Sequence, residues 1–170
     1  MARERPPYYE VVRRVSYWEA PADYIIFKDG DYVVAKDGKT GVIIDRASDN
    51  DDSGTELIQS VIDSMAETPV RGSIFFKTGV YHLYKPLKVY NGIALIGAQT
   101  GWSPDDVSVN RGATFKGMAD DTIIDVCGQY DENDEIGSFP YLSHLHLTGN
   151  RSYSNQHGVV IRAEKGIMYD

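Results

Sequence analysis

The sequence predicts an all-β chain of stacked short strands, a solenoid with sandwich and barrel as the alternatives, opened by one helix. Three observations predict it. Beyond Gly72 the chain is a series of four- to seven-residue apolar runs broken by turn residues. Helical periodicity is absent there, which excludes βαβ folds. Several runs are apolar on successive residues, whereas a sandwich strand with one wet face alternates. Loops at 99–112 and 128–140 break any clean repeat.

The 170 residues are enough for one hydrophobic core, and 42% hydrophobic with 25% charged residues is ordinary soluble composition. The net charge of −8 repels phosphate backbones and anionic lipid, so neither nucleic acid nor a membrane is an expected partner. Cys127 is the single cysteine, which rules out an intrachain disulfide and reads as a buried structural thiol. No 18-residue apolar run spans a membrane, and the first residues lack the apolar core of a signal peptide. An extracellular or virion location remains open.

Residues 1–23 form an N-terminal arm in which four Arg are balanced by Glu4, Glu10, Glu19 and Asp23. Val11, Val12, Val15 and Trp18 recur at helical spacing. Residues 24–72 hold a hairpin and a capping helix. YIIFK and YVVAK flank Asp29-Gly30-Asp31, a hairpin signature, and GVIID follows as a third short strand. Ser53 and Glu56 form a capping box, behind which Leu57, Ile58, Val61, Ile62 and Met65 share one helical face to about Glu67. Residues 73–170 supply the strands SIFFK, VYHLY, LKVY, IALIGA, ATFKG, TIIDV, YLSHLHL and GVVIRA.

Phe75-Phe76, Thr78-Gly79-Val80-Tyr81, Pro86-Leu87 and Gly92-Ile93-Ala94-Leu95-Ile96-Gly97 follow one another behind the helix. In that order they resemble the first coil of the pectate-lyase-like superfamily. The resemblance spans about residues 24–170. It implies a right-handed parallel β-helix (a solenoid) with an N-terminal capping α-helix, truncated or open at the C-terminus. It also implies polysaccharide as a partner, and the family holds lyases, hydrolases, tailspikes and adhesins. An open final coil, with Val159, Ile161 and Ile167, is expected to self-associate or meet a partner chain.

Catalytic signatures are missing. Asp120, Asp121 and Asp125 lack an Asn-Thr-Asp companion, and Gln156-His157-Gly158 lacks a glycine before the histidine. The acidic run Asp131, Glu132, Asp134 and Glu135 reads as a charged loop. No catalytic residue, metal or cofactor is therefore assigned. His144 and His146 alternate with Leu145 and Leu147, which places both histidines on an outer face about 7 Å apart if the leucines point inward. With Arg162, Trp102 and Tyr130 they are the candidate carbohydrate contacts. The expected function is a non-catalytic N-terminal module of a carbohydrate-binding, virion or cell-surface structural protein. The alternative is the opening part of a polysaccharide lyase or glycoside hydrolase whose catalytic coils lie beyond residue 170.

Overall fold

The computed structural model describes residues 22–68, 71–98, 112–128, 140–149 and 152–161. Strands β1 (Tyr24–Asp29), β2 (Tyr32–Asp37) and β3 (Ile43–Ser48) come first. Their turns are tight, with Gly30 and Gly41 at φ of 60° and 72°, a conformation that favours glycine. Tight turns force neighbours to run antiparallel, so β1 pairs β2 and β2 pairs β3 as a meander. Helix α1 (Asp52–Ala66) follows.

Nine more strands complete the described chain: β4 (Ser73–Phe76), β5 (Gly79–Leu83), β6 (Leu87–Tyr90), β7 (Ala94–Gly97), β8 (Ala113–Gly117), β9 (Ile124–Gly128), β10 (Tyr141–Ser143), β11 (Leu145–Thr148) and β12 (Val159–Ile161). They fall into three sheets ordered β10-β7-β4-β1-β2-β3, β11-β8-β5 and β12-β9-β6. Every pairing among β4–β12 is parallel.

The sheets correct the expected fold class. A right-handed parallel β-helix is not the architecture of this chain, because its largest sheet is mixed and the strands belong to three separate sheets. The physical reason lies in the hairpin turns at Gly30 and Gly41, which add an antiparallel meander to the edge of β4 through the parallel β1–β4 pair. The chain is mostly β with one helix among the described residues.

The main core lies between the sheets. Phe76, Tyr81 and Phe115 meet edge to face, with centroids 4.8 to 6.0 Å apart. Tyr81 is buried and its hydroxyl donates to the Lys77 carbonyl at 2.7 Å and the Ile26 carbonyl at 3.2 Å. Burial, then the Asp49 charge, pushes its phenol well above the usual range. Leu57, Ile58, Val61, Ile62 and Met65 of α1 close this core. Fully burying each such side chain is worth about 1.5–3 kcal/mol.

The capping box is also corrected. Asp51, not Ser53, is the N-cap, and its carboxylate accepts the Ser53 N–H at 2.9 Å, which lowers its pKa. Arg71 finishes the helix, donating Nη2 to the Ala66 carbonyl at 2.9 Å and Nη1 to the Asn91 carbonyl at 2.6 Å.

Candidate functional site

The helix positions the site because it serves as a substitute strand. Among the described residues, the edges of β5 and β6 next to α1 have no neighbouring strand, and exposed edge groups are a liability. Side chains at three points satisfy them. Asp49 accepts the His82 N–H at 3.1 Å. Thr55 accepts from the Tyr84 N–H at 3.0 Å and donates to the His82 carbonyl at 3.4 Å. One helical turn on, Gln59 accepts the Lys88 N–H at 2.9 Å and donates to the Lys88 carbonyl at 3.1 Å, as a strand residue would. Its amide also donates to Asp63 at 2.8 Å.

This seam leaves an open cleft of about 580 Å³ between α1 and the β6–β9 strands. Glu56, Gln59 and Asp63 line the helix side, Lys85 and Pro86 one end, Lys88 and Tyr90 the β6 wall, and Asp121, Thr122 and Asp125 the far wall. Lys88 and Asp125 are register partners on β6 and β9. Lys85 is locked between Asp52 at 2.7 Å and Glu56 at 2.8 Å, and the two carboxylates raise its pKa. The Asp121 carboxylate accepts the Thr122 N–H at 2.6 Å. Four carboxylates face two ammonium groups, so the cleft carries a net negative charge. It offers donors and acceptors side by side, which suits a polyhydroxylated ligand.

A second polar cluster lies above β5. Asp49 is 2% exposed and bonds Lys28 Nζ and His82 Nδ1, the latter at 2.7 Å. It ties the β3–α1 connection to β1 and β5. No group of three or more His, Cys, Asp or Glu able to hold a metal occurs among the described residues.

Of the residues named from sequence, Asp121 and Asp125 line the cleft, whereas the candidate carbohydrate contacts do not gather here. His146 lies exposed on β11 in register with Thr114 of β8, while Leu145 and Leu147 pack towards the core. His144 does not share that strand. The expected run YLSHLHL is broken at His144, whose φ of 55° separates β10 from β11, so the two-residue alternation that joined the histidines fails. At this break the His144 carbonyl sits against Gly97, where a Cβ would overlap it. Trp102, Tyr130 and Arg162 lie outside the described residues, as does the acidic run at 131–135.

Asp120 is a loop tie, accepting the Asn155 N–H at 2.8 Å. The Gln156-His157-Gly158 run is structural: the His157 and Gly158 carbonyls accept from Ile123 and Ile124, at 2.9 and 3.0 Å. Cys127 is half-buried against the core. Sequence reading missed Glu56, Gln59, Asp63, Lys85 and Lys88. For the three on α1 the signal was its polar face at helical spacing, 56-59-63, opposite the apolar stripe; Lys85 and Lys88 carried none. Comparison with known proteins finds no matching family model, no matching curated protein and no matching solved structure.

Proposed function

We propose that this chain is a non-catalytic carbohydrate-binding module, and that a neutral or amino-sugar glycan lies in the cleft between α1 and the β6–β9 strands. The observation that carries the reading is the juxtaposition of Gln59, Lys88, Asp121, Thr122 and Asp125 around one open cleft. Sugar hydroxyls both donate and accept, and the Asp121 and Asp125 carboxylates and the Lys88 ammonium answer both needs. The carboxylate excess selects against uronate polymers, because like charges brought together in a cleft repel.

Glycoside hydrolysis requires one carboxyl in an apolar pocket, poised as an acid, opposite a second. Asp121 is exposed and engaged by a backbone N–H, which fits binding rather than turnover. A glycan array tests the reading. Retention on neutral or amino-sugar glycans, lost in Lys88→Ala and Asp125→Asn, is the expected result. Retention only on uronates, or turnover that vanishes in Asp121→Asn, overturns it.

A second reading, a structural role in a virion or cell-surface assembly, rests on a different observation. Among the described residues, strands β10, β11 and β12 are all sheet edges, and Tyr141, Val159 and Ile161 are 59%, 40% and 50% exposed. Apolar side chains on unpaired edges favour pairing with a second copy of this chain. Sedimentation at micromolar concentration decides it: a dimer lost in Val159→Asp supports the assembly, and a monomer removes it.

A further inference from the structure

The β11-β8-β5 sheet turns one face to the core, where Tyr81, Leu83, Ala113 and Phe115 are buried and Leu145 and Leu147 pack against them. Alternation along each strand sends Val80, His82, Thr114, Lys116, His146 and Thr148 to the other face. Register sorts these six into two rows. Val80, Thr114 and His146 form one, and His82, Lys116 and Thr148 form the other. Neighbours within a row stand on adjacent strands about 4.8 Å apart. None of the six is a carboxylate, in a chain whose net charge is −8. Lys116 is half-buried and forms no ion pair among the described residues.

The carboxylate at the end of this row, Asp49, is already taken by Lys28, by the His82 backbone N–H and by His82 Nδ1. A carboxylate only accepts, so Nδ1 carries the proton in that bond. The neutral ring then offers Nε2 as an acceptor, and only the imidazolium offers it as a donor. We propose that the row His82–Lys116–Thr148 is a binding site for an oxyanion group (sulfate, phosphate or carboxylate), which Lys116 and Thr148 hold as donors and which draws a proton onto His82 Nε2. An oxyanion also only accepts, so it meets this ring in the protonated form alone. The charged groups facing His82 are Asp49 from the β3–α1 connection, Lys28 from β1 and Lys116 from β8, while α1 meets it through the uncharged Thr55. With Lys28 already on Asp49, a second positive charge beside Lys116 is opposed until an anion lies between them. Binding and proton uptake are therefore linked.

A nitrogen-15 NMR titration of the full chain with sodium sulfate, against sodium chloride at equal ionic strength, tests this. Sulfate keeps its charge across the histidine range, so any pH dependence belongs to the protein. Saturable shifts at the His82, Lys116 and Thr148 amides are expected with sulfate and not with chloride. Bound sulfate should move the His82 ring nitrogens to their imidazolium positions. Lowering the pH from about 7.5 to about 5.5 should tighten binding by roughly threefold or more. Lys116→Met should weaken it by roughly tenfold or more, the worth of one charge-assisted hydrogen bond. Lys116→Gln serves if the first variant fails to fold, judged by far-ultraviolet dichroism. His146→Gln, in the other row, should leave sulfate affinity unchanged. Parallel titrations with inorganic phosphate and with acetate show which oxyanion the row prefers, and saturable binding of any one at these residues supports the site. Three results overturn it: shifts that never saturate or that chloride reproduces for every anion, affinity that survives in the folded Lys116 variants, or a loss in His146→Gln instead. A His82 ring that stays neutral with sulfate bound overturns the proton linkage and with it the role given to His82.

Discussion

Asp49 holds His82 twice: its Oδ1 accepts the His82 backbone N–H at 3.1 Å and its Oδ2 meets His82 Nδ1 at 2.7 Å. The same carboxylate bonds Lys28, so one buried group joins the β3–α1 connection to β1 and to the edge of β5. Removing it strands a backbone donor and an ammonium group together. Asp49→Ala should therefore cost about 3–5 kcal/mol in urea unfolding, the range for breaking a buried ion pair from one side. Asp49→Asn, which retains an acceptor, should lose less. Equal, small losses in both variants would show that the carboxylate does not anchor the edge.

Gln59 should behave as an edge strand behaves. Its amide covers both backbone groups of Lys88. Gln59→Ala should destabilise the chain by about 1–2 kcal/mol and speed hydrogen exchange at the Lys88 amide more than at amides inside the β6–β9 ladder. Unchanged exchange at Lys88 would mean that water serves that edge equally well.

Gly97 should not tolerate a side chain. A Cβ there would overlap the His144 carbonyl, and backbone on both sides cannot yield as a flexible side chain would. Gly97→Ala should cost about 1–3 kcal/mol, the usual penalty for overfilling a packed site. Thermal melts of the variant check this.

Acid should weaken the fold through a small set of carboxylates. The Lys39 ammonium holds Asp23 below its ordinary value of 3.8, and the Thr40 and Ser53 backbone N–H groups do the same for Asp37 and Asp51. A folded pKa below the unfolded one stabilises the fold above the unfolded value, and that contribution is lost as pH falls through the folded value. Stability should be flat from pH 7 to about 5 on this account and fall below about 4. The Asp23→Asn, Asp37→Asn, Asp51→Asn triple variant should show a shallower fall between urea melts at pH 5 and pH 3.

Local features were readable in the sequence, and long-range ones were not. Asp29-Gly30-Asp31 announced the β1–β2 hairpin, and the stripe from Leu57 to Met65 announced α1, because both depend on neighbours a few residues away. The helix start shifted only from Ser53 to Asp51, whose carboxylate accepts the Ser53 N–H. The antiparallel meander joined to parallel strands was missed because pairing direction across β1 and β4 depends on residues about fifty positions apart. The break at His144 was missed because the residue packed against it, Gly97, lies 47 residues earlier. The cleft was missed for the same reason: Gln59 meets Lys88 across 29 residues, and neither stands out alone.

Binding of a glycan other than a uronate in the α1–β6–β9 cleft is the property to test. The most direct measurement is a nitrogen-15 NMR titration of the full chain with chitotetraose and, separately, with tetragalacturonate. Chitotetraose should shift the amides of Gln59, Asp63, Lys88, Tyr90 and Thr122 through Asp125, in a saturable way that Asp125→Asn weakens, while tetragalacturonate should leave them in place. Shifts confined to the β11 face around His146, equal shifts with both sugars, or no shifts with chitotetraose at millimolar concentration would contradict it.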